Sequence, residues 1–97
     1  MKVAKEAVGR VRIPIQFSKQ LGISAGDEVQ LIIEYGKICV KKFEREKFKD
    51  YSKLGIVRKL DSVDRICVPR EYWLLLNAEN ANEVDIYLDD KTIVILI

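Results

Sequence analysis

The feature that most constrains this sequence is an internal repeat. When Arg10 is placed on Arg65, the beginning of the chain overlays its end without a gap, and further positions become identical: Pro14/Pro69, Leu21/Leu76, Glu28/Glu83, Val29/Val84 and Ile38/Ile93. A repeat of this length is a supersecondary unit that cannot bury its apolar face alone, so a second copy has to cover it. Since both copies lie in one chain, we expect a pseudo-dimer within the chain whose function resides on a surface built by both halves.

The local pattern predicts the same elements in both copies. Apolar and polar residues alternate over two short stretches, as in half-buried strands, and a proline ends the second stretch and begins a short helix. Turn residues then separate two further strands, which form a hairpin. The predicted elements are 2–5, 11–13, 15–21, 28–34 and 38–42 in the first copy, and 56–60, 66–68, 70–76, 83–88 and 92–97 in the second. The predicted fold class is mainly β with short helices, in two ββαββ units.

We expect three segments along the chain: unit 1 at 1–42, a connector at 43–54 and unit 2 at 55–97, with both units in one folded body. The connector is expected to be pinned to that body by its aromatic residues, Phe43, Phe48 and Tyr51. Covalent linkage would hold the two units at an effective concentration of about millimolar. The alternative is that equivalent halves of two chains pair, which would give a homo-oligomer through the repeat units.

Composition favours a soluble cytoplasmic protein. The 97 residues fit one domain, and no apolar run approaches the roughly 20 residues that a membrane-spanning helix needs. The N-terminus also lacks the pattern of a signal peptide. Cys39 and Cys67 fall in apolar, strand-like runs and are expected to be buried free thiols in a reducing compartment, with a disulfide or a redox role as the alternative.

Residue patterns typical of enzymes and metal sites are missing from the sequence. The chain has no histidine, no cysteine pair at metal-ligand spacing and no glycine-rich phosphate loop. Its serines lack a neighbouring base that could activate them. We therefore expect no enzymatic activity, no metal, no cofactor and no small-molecule substrate.

The charges are distributed unevenly along the chain. Lysine and arginine together number 17 and aspartate and glutamate 15, yet basic residues are concentrated at the beginning of each unit, and the second unit is acidic from Glu79 to Asp90. This distribution predicts one positively charged face on the folded protein. Ordinary solvated faces also carry charge clusters, so charge alone does not identify a binding surface.

The motifs resemble those of the AbrB/SpoVT-type family, the swapped-hairpin transition-state regulators. In unit 2 the resemblance rests on Gly55 to Asp61 and Arg65 to Pro69, and in unit 1 on Gly9 to Ile15, Leu21 to Ile23 and Gly26 to Val29. The last group is similar to the GD box of cradle-loop barrels. The spacing Asp61-x-x-x-Arg65, with Glu6-x-x-x-Arg10 in the other unit, is also similar to that of MraZ proteins, which carry two such units per chain.

This resemblance implies a swapped-hairpin barrel in which two units interleave their hairpins. It also implies a transcriptional regulator that contacts double-stranded DNA through the first two strands and the short helix of each unit. Carried over by position, the implied DNA-binding residues are Lys5, Arg10, Arg12 and Lys19 in unit 1, and Arg58, Lys59 and Arg65 in unit 2. Where family members typically carry a basic pair in the helix, unit 2 has Trp73 and Leu74, so the basic face is expected to be asymmetric.

The chemistry of the arginines suits this role. Alternation along Arg10-Val11-Arg12-Ile13 directs both guanidinium groups away from the apolar side chains. A guanidinium binds phosphate oxygens bidentately and can also reach the edge of guanine. The alternative for Arg10 and Arg65 is a structural role, in salt bridges to Glu6 and Asp61.

A second hypothesis is a protein-interaction module, such as the antitoxin-like partner of a toxin. Among AbrB-like proteins, antitoxins join this fold to a segment that blocks a toxin. An exposed apolar patch at Tyr72 to Leu75 would favour a protein partner. Trp73 within that stretch is expected to lie in the core or at a subunit contact rather than to stack on a base.

Overall fold

The computed structural model describes residues 1–44 and 55–97. In these residues the elements are β1 (Lys2–Glu6), a 3-10 turn (Ala7–Gly9), β2 (Arg10–Arg12), α1 (Ile15–Leu21), β3 (Glu28–Glu34), β4 (Lys37–Lys42), β5 (Ile56–Lys59), β6 (Arg65–Cys67), α2 (Arg70–Leu75), β7 (Glu83–Asp89) and β8 (Thr92–Leu96). Every predicted strand and helix is present, and each end differs from the prediction by at most one residue.

Phe43 is buried, while Phe48 and Tyr51 lie outside the described residues. No helix in this part of the chain is long and apolar enough to cross a membrane.

The described strands form one antiparallel sheet in the order β5-β3-β4-β8-β7-β1-β2-β6, which curls into a nearly closed barrel. The two halves interleave, because the first strand of each repeat pairs with the hairpin of the other: β1 pairs with β7, and β5 pairs with β3. In addition, β4 pairs with β8 and β2 pairs with β6. The prediction of a mainly β, swapped-hairpin barrel built from both halves of one chain is confirmed.

The turns that precede β2 and β6 adopt equivalent positions in the two halves. The N–H of Ile13 donates a hydrogen bond of 2.9 Å to the carbonyl oxygen of Asp64, and the N–H of Val68 donates one of 3.2 Å to the carbonyl oxygen of Gly9. Gly9 and Asp64 both have positive φ, 75° and 62°. The two turns therefore clamp the ends of the β2–β6 pair in a two-fold arrangement.

The barrel interior is filled by apolar side chains that the two repeats contribute in equivalent pairs. These pairs are at most 1% exposed: Val11/Ile66, Val29/Val84, Leu31/Ile86 and Ile38/Ile93. Full burial of such a side chain contributes about 1.5–3 kcal/mol. Because each half covers the inward face of the other, a single repeat would leave these positions exposed to water.

The two cysteines are free thiols, but the expectation that they are buried is wrong. Cys67 is exposed and Cys39 is only partly buried. Side chains alternate between the two faces of a strand, so the buried neighbours Ile66 and Val68 leave the outward position to Cys67. Partial burial raises the pKa of the Cys39 thiol, and the nearby charge of Glu34 raises it further.

Candidate nucleic-acid interface

The outer face of the β2–β6 pair gathers three of the seven arginines and lysines implied for DNA binding. In its antiparallel register Arg12 lies opposite Arg65, and Arg10 lies opposite Cys67. Residues directly opposite one another in a sheet project to the same side. The third pair of this ladder, Val11 opposite Ile66, projects to the other side and is buried in the core. We call the outer surface formed by Arg10, Arg12, Arg65 and Cys67 the ladder face.

Arg65 is held on the ladder face by two carboxylates. Its Nε lies 2.8 Å from Oδ2 of Asp61, and its Nη1 lies 3.2 Å from Oε1 of Glu6. Asp61 also accepts a hydrogen bond of 2.9 Å from the backbone N–H of Arg65 and one of 3.0 Å from that of Val63. The backbone hydrogen bond from Arg65 is the main reason why the pKa of Asp61 is lowered, and the bonds to Asp61 and then Glu6 raise the pKa of Arg65. The ion pairs of Arg65 therefore connect β6 to β1 and to the turn that precedes β6. This is the structural role that was the alternative to DNA binding for Arg65.

Arg10 and Arg12 have no ion pair with any described residue. Arg12 is exposed and Arg10 is half-buried. Glu6 lies directly opposite Arg10 on β1, yet the carboxylate of Glu6 is bonded to Arg65 instead. The uncompensated positive charge of the ladder face therefore belongs to Arg10 and Arg12.

Lys5 lies on β1 but outside the ladder face. Its partner in the β1–β2 register is Val11, whose side chain is in the core. The Nζ of Lys5 donates a hydrogen bond of 2.9 Å to the carbonyl oxygen of Glu79 and lies 5.5 Å from the ring centroid of Trp73. A cation over an indole ring is attracted by the negative face of the ring. Lys5 thus fastens β1 to α2 and to the loop that follows it, along an open cleft of about 750 Å³.

Trp73 is a core residue and not an exposed platform for a base. Its side chain is 2% exposed, and its Nε1 donates a hydrogen bond of 3.3 Å to the carbonyl oxygen of Gly9. Tyr72 is half-buried, whereas Leu74 and Leu75 are 45% and 67% exposed. The apolar patch considered on α2 is therefore limited to these two leucines.

The other implied DNA-binding residues also lie outside the ladder face. Arg58 and Lys59 are exposed on β5, where their register partners on β3 are Val29 and Glu28. The Nη1 of Arg58 donates a hydrogen bond of 3.1 Å to a carbonyl oxygen of its own strand. Lys19 is exposed in the last turn of α1, where a positive charge also interacts favourably with the helix dipole. The structure therefore places three of the seven implied residues on the ladder face and the other four outside it.

Cys67 also lies on this surface, a position that the prediction of a buried thiol did not give. The thiol is exposed, lies on the strand opposite Arg10, and its Sγ is 3.7 Å from the carbonyl oxygen of Val8. The alternation Ile66-Cys67-Val68 contained the signal, since a strand residue between two inward-facing neighbours faces outward. In the described part of the chain, no group of three or more histidine, cysteine, aspartate or glutamate side chains could hold a metal ion.

A family comparison adds to this geometry. Residues 9–48 match the family model described as antidote-toxin recognition MazE, bacterial antitoxin. The matched segment begins at the turn before β2 and includes α1 and the β3–β4 hairpin. The MazE model belongs to the AbrB-like swapped-hairpin superfamily, which agrees with the observed barrel and supports a DNA-binding or antitoxin-like role. It does not distinguish the AbrB, SpoVT and MraZ types.

A solved structure shows the same fold. The solution structure of PHS018 from Pyrococcus horikoshii is similar with a TM-score of 0.55, and the similarity covers 100% of this chain and 86% of that one. The two sequences are 20% identical, so the likeness concerns the fold alone. No curated protein matches the sequence.

Proposed function

We propose that this protein is a DNA-binding transcriptional regulator of AbrB-like type that contacts duplex DNA through the ladder face. The observation that carries the proposal is the pair Arg10 and Arg12, which project from one strand without an acidic partner in the described residues. The match of residues 9–48 to an antitoxin family of the AbrB-like superfamily supports it. The regulator acts by occupying DNA in the cytoplasm, without catalysis and without a cofactor.

The spacing of the arginines on the ladder face suits contact with the DNA backbone. Arg10 and Arg12 are separated by one residue, which places their Cα atoms about 7 Å apart along the strand. Two guanidinium groups at this spacing can bind separate phosphates, or one phosphate and one base edge. Lys19, Arg58 and Lys59 remain predicted DNA contacts outside the ladder face. Lys5 remains a predicted neighbour of the DNA-contacting residues.

A second part of the proposal concerns the chain organisation. We propose that units 1–42 and 55–97, joined by the connector 43–54, complete one barrel within a single chain. The pairing of β1 with β7 and of β5 with β3 supports this organisation. Light scattering in solution should then give a mass near 11.2 kDa. Twice that mass would instead indicate a homo-oligomer, and its interface could then involve the repeat units.

The DNA-binding proposal is tested by titrating random-sequence duplex DNA with the protein at several salt concentrations and following fluorescence anisotropy. For the wild type, the logarithm of the binding constant should fall linearly with the logarithm of the salt concentration. Each lost phosphate contact reduces the slope by about 0.9, so Arg10→Ala/Arg12→Ala should reduce it by roughly 1.8.

The matched control is Lys37→Ala/Lys91→Ala, which removes the same charge from two exposed positions. Lys37 lies on β4 and Lys91 lies in the turn between β7 and β8, and the strand order places β4 and β8 across the barrel from β2 and β6. Circular dichroism checks that both variants fold. The proposal fails when the wild type does not bind at low salt, or when the control loses as much slope as the arginine variant.

A second candidate function is a protein-interaction module with an antitoxin-like role. The description of the family that matches residues 9–48 favours it, and the exposed pair Leu74 and Leu75 offers an apolar contact. Calorimetric titration with a purified toxin that a MazE antitoxin recognises would test it. Binding by the wild type that is lost in Leu74→Ser/Leu75→Ser, with DNA binding intact, would support this role; no heat of binding would argue against it.

A further inference from the structure

The ladder face has a local two-fold relation that its side chains break. The central pair of the β2–β6 ladder joins equivalent apolar positions of the two repeats. Rotation about this pair therefore exchanges Arg10 with Arg65, and Arg12 with Cys67. With the residues of the first repeat in both halves, this face would present four arginines, and in this protein a cysteine stands at the fourth position.

The two equivalent arginines also differ in how they are held. Arg65 is bonded to Asp61 at 2.8 Å and to Glu6 at 3.2 Å. Glu6 and Asp61 are themselves equivalent in the repeat, so one arginine uses both carboxylates of a symmetric pair. Arg10 consequently has no acidic partner in residues 1–44 and 55–97. A guanidinium that is already bonded to two carboxylates is a poorer ligand for phosphate than one that is free.

The short helix of the first repeat also carries a positive charge that the short helix of the second repeat lacks. Lys19 is exposed in the last turn of α1, and the equivalent position in α2 is Leu74, which is 45% exposed. The basic residues that only the second repeat has in its first strand, Arg58 and Lys59, lie on β5 outside the ladder face. On the ladder face and in the short helices, the differences between the repeats therefore place available positive charge in the first repeat, whereas on β5 they place it in the second.

We infer that the protein contacts DNA asymmetrically, with Arg10 and Arg12 of the first repeat on the duplex and Arg65 of the second repeat as a positioning residue within the barrel. This inference rests on the proposed DNA-binding function. Two-fold-related contacts select a palindromic site, because each half of the protein meets the same half-site. A face whose contacts come from one repeat has no such requirement, so the preferred class of ligand is a non-palindromic duplex.

Two variants that conserve net charge separate the roles of the equivalent arginines. Arg65→Gln/Glu6→Gln removes the second repeat's arginine together with the carboxylate that could otherwise pair with Arg10, and Arg10→Gln/Glu71→Gln removes the free arginine together with an exposed carboxylate of α2. In the anisotropy titration, the Arg10 variant should lose about 0.9 of the salt slope, the value for one phosphate contact. The Arg65 variant should keep the wild-type slope.

The outcomes distinguish the inference from the function on which it rests. Equal losses of slope in the two variants would overturn the asymmetry while leaving DNA binding in place. Absence of binding by the wild type would overturn the proposed function itself. Selection of bound sites from a random-sequence duplex pool uses only the wild-type protein, so it does not depend on the folding of either variant. Enriched sites without two-fold symmetry would support the inference, and enriched palindromes would overturn it.

Discussion

Gly9 lies in the turn before β2, where both its conformation and its surroundings favour glycine. Its φ is 75°, and a Cβ at this position would lie 2.5 Å from Nε1 of Trp73 and 3.0 Å from the carbonyl oxygen of Val68. Trp73 is 2% exposed and its Nε1 is bonded to the carbonyl oxygen of Gly9, so the indole has little room to move. Gly9→Ala therefore tests how tightly the turn packs against the core.

Two effects determine the expected loss of stability. An alanine in the left-handed conformation costs about 1–2 kcal/mol, which the reduced entropy of the unfolded chain offsets by about 0.4–1 kcal/mol. Crowding of a buried side chain adds about 1–3 kcal/mol, so Gly9→Ala should lower the free energy of unfolding by about 2–4 kcal/mol. Gly36 is the matched control, because its φ is 74° and nothing lies within 4 Å of an added Cβ. Gly36→Ala should lower the free energy of unfolding by only about 1 kcal/mol.

Urea unfolding measures both variants, with the fluorescence of the single tryptophan, Trp73, as the probe. A difference of about 2 kcal/mol between the variants corresponds to a difference of roughly 10 °C in Tm for a domain of this size. The denaturant dependence of the unfolding free energy should be the same for both variants and the wild type. Equal losses for Gly9→Ala and Gly36→Ala would refute the close packing of Trp73 on this turn.

Three further predictions concern ionisable and reactive groups. The pKa of Asp61 is lowered chiefly by the backbone hydrogen bond from Arg65. The ionised carboxylate of Asp61 therefore stabilises the folded protein above the ordinary pKa of 3.8, and this stability is lost as the pH falls below that value. Asp61→Asn should remove that part of the acid dependence in urea unfolding, and an unchanged pH profile would contradict this. Burial raises the pKa of Tyr72 above its ordinary 10.0, so the stability that its neutral hydroxyl contributes to the fold is lost as the pH rises past that value. Tyr72→Phe should weaken the loss of stability at alkaline pH. It should also lower the free energy of unfolding at neutral pH by about 1 kcal/mol, because the hydroxyl donates a hydrogen bond of 3.1 Å to a carbonyl oxygen of β3. A variant as stable as the wild type would count against that bond. In single-cysteine variants, exposed Cys67 should react with an aromatic disulfide reagent faster than Cys39, whose pKa is raised, and the opposite order of rates would contradict the structure.

The elements of the fold were predictable because they depend on neighbours in the chain. Alternation of apolar and polar residues defines the strands, and Pro14 and Pro69 mark where a strand gives way to a helix. The repeat predicted that two halves would cover one another, and the family resemblance implied the exchange of hairpins. The burial of the cysteines was predicted wrongly, because the apolar character of their surroundings was given more weight than the alternation.

The candidate site was predictable only as a set of basic residues. Lys5 was grouped with Arg10 and Arg12, yet its register partner is a core residue and its Nζ is bonded beside Trp73. The sequence spacing allowed each arginine to pair with the acid four residues before it. Glu6, however, is bonded to Arg65 from the other half of the chain.

The sequence by itself determined the repeat, the order of the elements and the outward direction of Arg10 and Arg12, because all of these follow from periodicity along the chain. Only the tertiary structure decided which arginine is neutralised and which is left without a partner. That choice depends on distances between strands that are far apart in sequence, and the pairing of β2 with β6 and of β1 with β2 sets those distances. Two repeats with one fold can therefore differ in the charge that they present to a ligand.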